Sequence, residues 1–170
     1  MLTARRGKSR RGIPVFDEVD RQLIEALQQD GRLSMRKLSE RIGVALGTVA
    51  NRLAKLERDG VIKGYSVVLD ADKIGWEMTV VVGLRIVKGR LLEVQRKIAA
   101  DPRVFAVYDV TGEMDSLVVA RVTDRDDLDD FTKTVLSSDG VERSITHVAL
   151  NTVKDTAVTL PHSPSFEGSR

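Results

Sequence analysis

Thr48, Asn51, Arg52 and Lys55 recur at helical spacings of three and four, which would set a hydroxyl, an amide, a guanidinium and an ammonium along one stripe. Those groups suit a nucleic acid. Arginine can read guanine bidentately, asparagine can read adenine, and lysine or threonine can hold phosphates. Arg36 and Lys37 open a second candidate helix, where free backbone amides also favour an anion. Any solvated helix can carry such residues, so the stripe gains weight only from the elements around it. Catalytic chemistry has far less to work with. The chain holds no cysteine and two histidines, His147 and His162, with no Walker-type phosphate loop and no paired metal-ligand motif. Only His147 with Arg121 or Arg143 offers a catalytic pairing, and no spacing brings them together.

The elements that would position the stripe are helical. Val19, Leu23 and Leu27 recur at i, i+4 and i+8, and the pattern ends at Asp30-Gly31. Ser34 is a suitable N-cap for a short helix with Met35, Leu38 and Ile42 on one face. Gly43-Val44-Ala45 then breaks the run, and a third helix follows with Val49, Leu53 and Leu56 inward. Three short helices with a three-residue turn between the second and third form helix-turn-helix spacing over residues 15–64. Charge supports the division. Residues 1–64 carry 14 Lys and Arg against 8 Asp and Glu, whereas residues 65–170 carry 13 against 17. Only the front half is built to meet a polyanion. Residues 1–14 hold five basic residues and no acidic ones, and read as a flexible basic arm.

From residue 65 the rhythm changes. Residues 65–75 are expected to be a linker that begins with a short strand, Tyr65–Asp70. The β-branched runs Met78–Val87, Val104–Thr111, Leu117–Thr123 and Ser144–Val153 read as strands. Between them, Leu91–Ala100 and the Leu128, Phe131, Val135 segment read as helices. The order βαββαβ over residues 76–156 predicts a ferredoxin-like domain with both helices on one sheet face, making the whole chain α+β. Each helix ends in Asp-Pro or Asp-Gly, an internal repeat. The uncovered sheet face calls for a second copy of the chain. Residues 157–170 read as a frayed tail. No apolar run is long enough to span a membrane and no secretory leader is evident, so a cytoplasmic, nucleoid-associated protein is expected.

With these residues in place, the chain resembles the Lrp/AsnC, or feast/famine, transcription regulators of bacteria and archaea, from Phe16 to Val153. The resemblance rests on Asp17-Glu18-Val19-Asp20-Arg21, Asp30-Gly31-Arg32, Asn51-Arg52 leading to Leu56-Glu57, and Gly60-Val61-Ile62-Lys63-Gly64-Tyr65. Val110-Thr111-Gly112-Glu113-Met114-Asp115 and the Asp-Gly-Val before the last strand complete it. The resemblance implies a winged-helix-like reading domain on double-stranded DNA and a ferredoxin-like effector domain. It implies dimers, assembled further into tetramers or octamers, and a free amino acid bound between dimers. The effector residues it implies are Thr111, Gly112, Glu113 and Asp115, with His147, Val148 and Ala149 of the last strand. It implies no cofactor beyond that small molecule and no metal.

Chemistry is compatible with such a pocket. Gly112 lets backbone approach a ligand, its neighbours offer amides and a hydroxyl to a carboxylate, and Glu113 and Asp115 suit an ammonium. The same residues also read as a plain hairpin turn in which Asp115 bonds local backbone. One departure from the family is visible at Ala45-Leu46-Gly47, where a Ser-Pro-like cap is common. Without a side-chain cap the third helix is expected to fray or to start at Thr48. Two other functions share the architecture: a siroheme-decarboxylase-like enzyme, and a protein that wraps DNA with little sequence preference.

Overall fold

The computed structural model describes residues 16–155 and residue 160. These divide at Val67 and Val68 into two compact units.

In the first unit, Asp17 and Asp20 open α1 (Glu18–Gln29) by capping each other: the Asp20 amide donates to Asp17 Oδ1 at 3.0 Å, and the Asp17 amide donates to Asp20 Oδ2 at 3.4 Å. Ser34 caps α2 (Met35–Ile42), its Oγ accepting from the Lys37 amide at 3.3 Å. Gly43, at φ 76°, ends that helix in the left-handed conformation and starts the turn into α3 (Leu46–Arg58). The apolar stripes of the three helices meet at Leu23, Ala26, Leu38, Val49 and Leu53, with Leu56 also buried. Met35 does not join them. It sits in the first turn of α2, 49% exposed, so the core contribution of that helix comes from Leu38 and the half-buried Ile42. Among the described residues no strand follows α3 as a wing. The chain instead folds back so that the Tyr65 hydroxyl donates to Glu57 Oε1 at 3.0 Å.

The expected strand at Tyr65–Asp70 does not form. Its residues form no strand and find no ladder partner among the described residues, and Val67 and Val68 are 81% and 92% exposed. A ladder needs a neighbour, and β-branched composition cannot supply one.

The second unit contains β1 (Met78–Ile86), α4 (Leu91–Ala99), β2 (Val104–Asp109), β3 (Ser116–Val122), α5 (Arg125–Phe131) and β4 (Val141–Val148). Its antiparallel sheet has the order β2-β3-β1-β4, as a ferredoxin-like topology requires. Alternation on β1 and β3 turns Val80, Val82, Leu84, Ile86, Val118, Ala120 and Val122 toward α4 and α5, where they pack on Val94, Ile98 and Phe131. After Phe131 the chain makes one wide turn of π type over Thr132–Leu136, which keeps Phe131 and Leu136 buried together at a spacing of five. The Thr132, Thr134 and Ser137 hydroxyls donate to carbonyl oxygens four or five residues earlier, which favours this widened geometry.

Arg103 fastens β2 to α5. Its guanidinium lies 2.8 Å from each of Asp101 Oδ2, Asp127 Oδ1 and Asp130 Oδ2, and stacks 5.0 Å from the Phe131 ring. The strand boundaries differ by a few residues from expectation, most at the end of the chain. There β4 begins at Val141 and stops at Val148, with one further backbone bond from the Ala149 amide to the Thr79 carbonyl.

Candidate functional site

The α3 helix starts at Leu46 with Ala45 as its N-cap and no side-chain cap, so the start has not moved to Thr48. The Ala45 carbonyl still accepts from the Thr48 and Val49 amides at 2.9 and 3.2 Å. Along the helix, Asn51 is exposed, while Thr48 and Lys55 are half-buried. Arg52 differs from its neighbours. Its Nη1 lies 2.6 Å from Asp17 Oδ2 and 3.3 Å from Asp20 Oδ1, which ties α3 to the capping box of α1. Asp20 is only 4% exposed, so its carboxylate needs this partner. Of the stripe read from sequence, Arg52 is thus engaged in a salt bridge inside the unit, with its side chain 31% exposed.

Solvent sees a neighbouring stripe instead. Gly47, Asn51, Ala54 and Arg58 are all exposed and recur at i, i+4, i+7 and i+11. Small residues at positions 47 and 54 leave the α3 backbone close to whatever it faces, and Arg58, paired only with the adjacent Asp59 at 3.4 Å, retains an exposed guanidinium. Sequence reading missed Arg58 because it counted polar groups and not the gaps between them. Arg36 and Lys37 are exposed in the first turn of α2, Arg36 pairing with Glu40 at 3.2 Å.

The Thr111–Asp115 turn joins β2 to β3 at the far end of β1. Thr111, Gly112 and Glu113 are exposed, and Gly112 takes φ 127°. Asp115 is bound to β1: its Oδ2 accepts from the Ile86 amide at 2.8 Å and its own amide donates to the Leu84 carbonyl at 2.8 Å. Its carboxylate therefore anchors the turn. The Glu113 carbonyl accepts from Arg85 Nη1, and Met114 lies across Gly83, where a Cβ would fall 2.9 Å from Met114 Cγ. Beside the turn is an open cleft of about 400 Å³ lined by Arg85, Glu113, Met114, Glu142 and Arg143.

His147, Val148 and Ala149 lie elsewhere. His147 pairs with Val81 and Val148 with Val80, and the Ala149 amide donates to the Thr79 carbonyl at 2.9 Å. All three are exposed. Val81 and Arg85 are four positions apart on β1, about 13 Å, so one copy does not bring the turn and His147–Ala149 together. Ala149 instead borders a second cleft of about 420 Å³ with Asp70, Trp76, Thr79, Arg121 and Asp155. Arg121 is engaged by Asp155 and by the Phe105 ring at 4.9 Å, and Arg143 lies four residues before His147 on one strand. Among the described residues neither arginine is hydrogen-bonded to His147.

Comparison with known proteins agrees with both halves of this geometry. A winged helix-turn-helix DNA-binding family matches residues 16–63, and the Lrp/AsnC ligand binding domain matches residues 79–159. An uncharacterized HTH-type transcriptional regulator of Pyrococcus furiosus is 45% identical over 140 residues, covering 82% of this chain and 95% of that protein. The HTH-type transcriptional regulator FL11 of Pyrococcus horikoshii is 33% identical, covering 83% and 93%. Among solved structures, a transcriptional regulator of Neisseria meningitidis in complex with L-Met superposes with a TM-score of 0.80 at 28% identity, covering 86% of this chain and 97% of that one. With reading helix, antiparallel effector sheet and sequence in agreement, the chain belongs to the Lrp/AsnC family of HTH-type transcriptional regulators.

Proposed function

We propose that this regulator recognises specific DNA sequences through α3, acts as an oligomer, and answers to a free amino acid. The observation that carries the reading is the exposed stripe Gly47, Asn51, Ala54 and Arg58 on the helix after the turn, backed by Arg36 and Lys37 on α2. Asn51 and Arg58 supply base-edge and phosphate contacts, and Gly47 and Ala54 let the helix sit deep in the major groove. Two such helices in a dimer meet half-sites about one helical turn apart.

The oligomer is supported by the sheet face that α4 and α5 leave uncovered. Register places Val81, Leu117, Val119 and Ile145 on it, with Phe105 and Tyr108 exposed at its β2 edge. A second copy covers this apolar surface. The amino-acid effector is supported by the cleft beside the Thr111–Asp115 turn and by the relative solved with L-Met. Because His147–Ala149 lie at the other end of β1, any site that uses both groups draws them from different copies.

The test is selection of bound sequences from a random library by the full chain, followed by competition with non-specific DNA at moderate salt. Enrichment of one palindromic site that resists competition is expected. Equal loss from every sequence would replace the specific reading with an architectural one.

A further inference from the structure

Ahead of Val67, three large apolar side chains of the first unit stand exposed among the described residues: Met35, Leu46 and Tyr65. Met35 and Tyr65 line one groove with Leu27, Leu33 and Leu53, against the core of the unit. Leu46 does not line it. It shares a face of α3 with Val49 and Leu53, at i+3 and i+7, yet those residues are 0% and 5% exposed while Leu46 is 52% exposed. The packed core ends one turn short of it. Ala45 and Gly47 on either side are exposed as well, so the start of α3 offers water three consecutive residues with no polar side-chain atom. Such a run on a surface calls for a partner.

A recognition helix enters the major groove with its N-terminal residues against base edges. From Ala45 to Ala50, Thr48 carries the only polar side chain, and it is half-buried. Ala45 makes no side-chain cap bond either. The first turn of α3 therefore has no exposed side chain that can donate to a base or accept from one. In the major groove a base pair presents a single apolar feature, the C5-methyl group of thymine. We infer that Leu46 is a specificity-determining residue that packs on a thymine methyl, so that each half-site carries a thymine read by apolar contact. The inference rests on the DNA-reading role proposed for α3 and names the base chemistry met by the tip of that helix. Contact between leucine and the methyl removes apolar surface from water on both sides. A cytosine in the same place presents an amino group, which leucine would strip of water without replacing its hydrogen bond. Asn51, exposed on the next turn, is left to read a base edge by hydrogen bonding.

The experiment uses the full chain and the DNA site enriched from a random library, resynthesised with each thymine in turn replaced by deoxyuridine, which lacks only the methyl group. Wild type, Leu46→Ala and Leu46→Gln are titrated against every duplex, with urea unfolding to confirm that the variants fold. The expected result is one thymine per half-site at which uracil weakens wild-type binding about fourfold, the other thymines being near neutral. Both variants should bind the unmodified site more weakly and lose that sensitivity, so that removing the leucine and removing the methyl do not add. Uracil tolerated by the wild type at every thymine, within about 1.5-fold, would overturn the inference and leave reading by Asn51 and Arg58 intact. Variants that keep the full sensitivity would also overturn it, by giving the methyl contact to another residue. Absence of any enriched sequence would remove the reading role of α3, and the contact with it. If the variants change only the sedimentation of DNA-free protein, Leu46 belongs to an interface between copies, and the inference falls.

Discussion

Arg52 of α3 reaches across to Asp20 of α1, its guanidinium 3.3 Å from one carboxylate oxygen of a residue that is almost wholly buried. The same nitrogen stands 2.6 Å from Asp17, so a single arginine closes the capping box from outside. Asp17 registers the arrangement. The Asp20 amide first, and the Arg52 charge after it, hold its carboxyl below the ordinary aspartate range despite an opposing desolvation. The reading helix is therefore oriented by an ion pair to the helix that supports it.

Arg52→Ala should accordingly behave as a stability mutant. It strands the buried Asp20 carboxylate, a loss of about 2 kcal/mol for a pair that is partly open to water. Urea unfolding should show a lower midpoint, and DNA affinity should fall by a similar factor on specific and random sequences. Arg52→Lys should recover part of the stability. A normal midpoint with selective loss of one sequence would return Arg52 to the reading surface.

Asn51→Ala and Arg58→Ala should divide differently. If Asn51 reads a base edge, its removal costs about 1–3 kcal/mol at one position of the site and relaxes preference there. If Arg58 holds a phosphate, its loss weakens all sequences alike and lowers the salt slope by about one. Quantitative footprinting at several salt concentrations separates the two. The basic arm at residues 1–14 lies outside the described residues, and its deletion should lower the salt slope further without changing the preferred sequence.

The fold was legible wherever burial imposes a period. Leu23, Leu38, Val49 and Leu53 announce their helices, and the alternating Val80, Val82 and Leu84 announce β1, because each must face a core. Tyr65–Asp70 misled for a related reason: β-branched residues state what a strand tolerates, not whether a partner exists. At the site the limit was different. Arg52 and Asp115 are charged residues at suggestive positions, yet both satisfy internal groups. That outcome depends on long-range contacts, α3 with α1 and Ile86 beside Asp115, which no local pattern encodes.

Gly83→Ala tests the seat of Met114. A Cβ at Gly83 would lie 2.9 Å from Met114 Cγ and 3.3 Å from its sulfur, so the side chain must move off the sheet. Methionine is flexible, and the stability cost should stay near 1 kcal/mol. The cleft loses its apolar surface all the same. Thermal melts should change little, whereas the amino-acid response should weaken severalfold; an unchanged response would separate Met114 from the effector site.

Acid sensitivity should centre on Arg103. Its hydrogen bonds, above all, keep the Asp101 carboxyl below the ordinary aspartate value, as the Asp20 amide does for Asp17. A carboxyl with a depressed folded pKa binds fewer protons folded than unfolded, so its stabilisation is full above the unfolded value of about 4 and is lost as pH falls through the folded one. The urea midpoint of the wild type should hold steady down to about pH 5 and decline below it. Arg103→Ala removes the partner of three carboxylates and its contact with the Phe131 ring. It should lower the midpoint at neutral pH and flatten the decline below pH 5, because Asp101 then titrates nearer its unfolded value. A variant that remains as acid-sensitive as the wild type would place the titrating groups among the carboxyls held low by other partners, Asp17 by the Asp20 amide and Glu93 and Asp139 by Arg90.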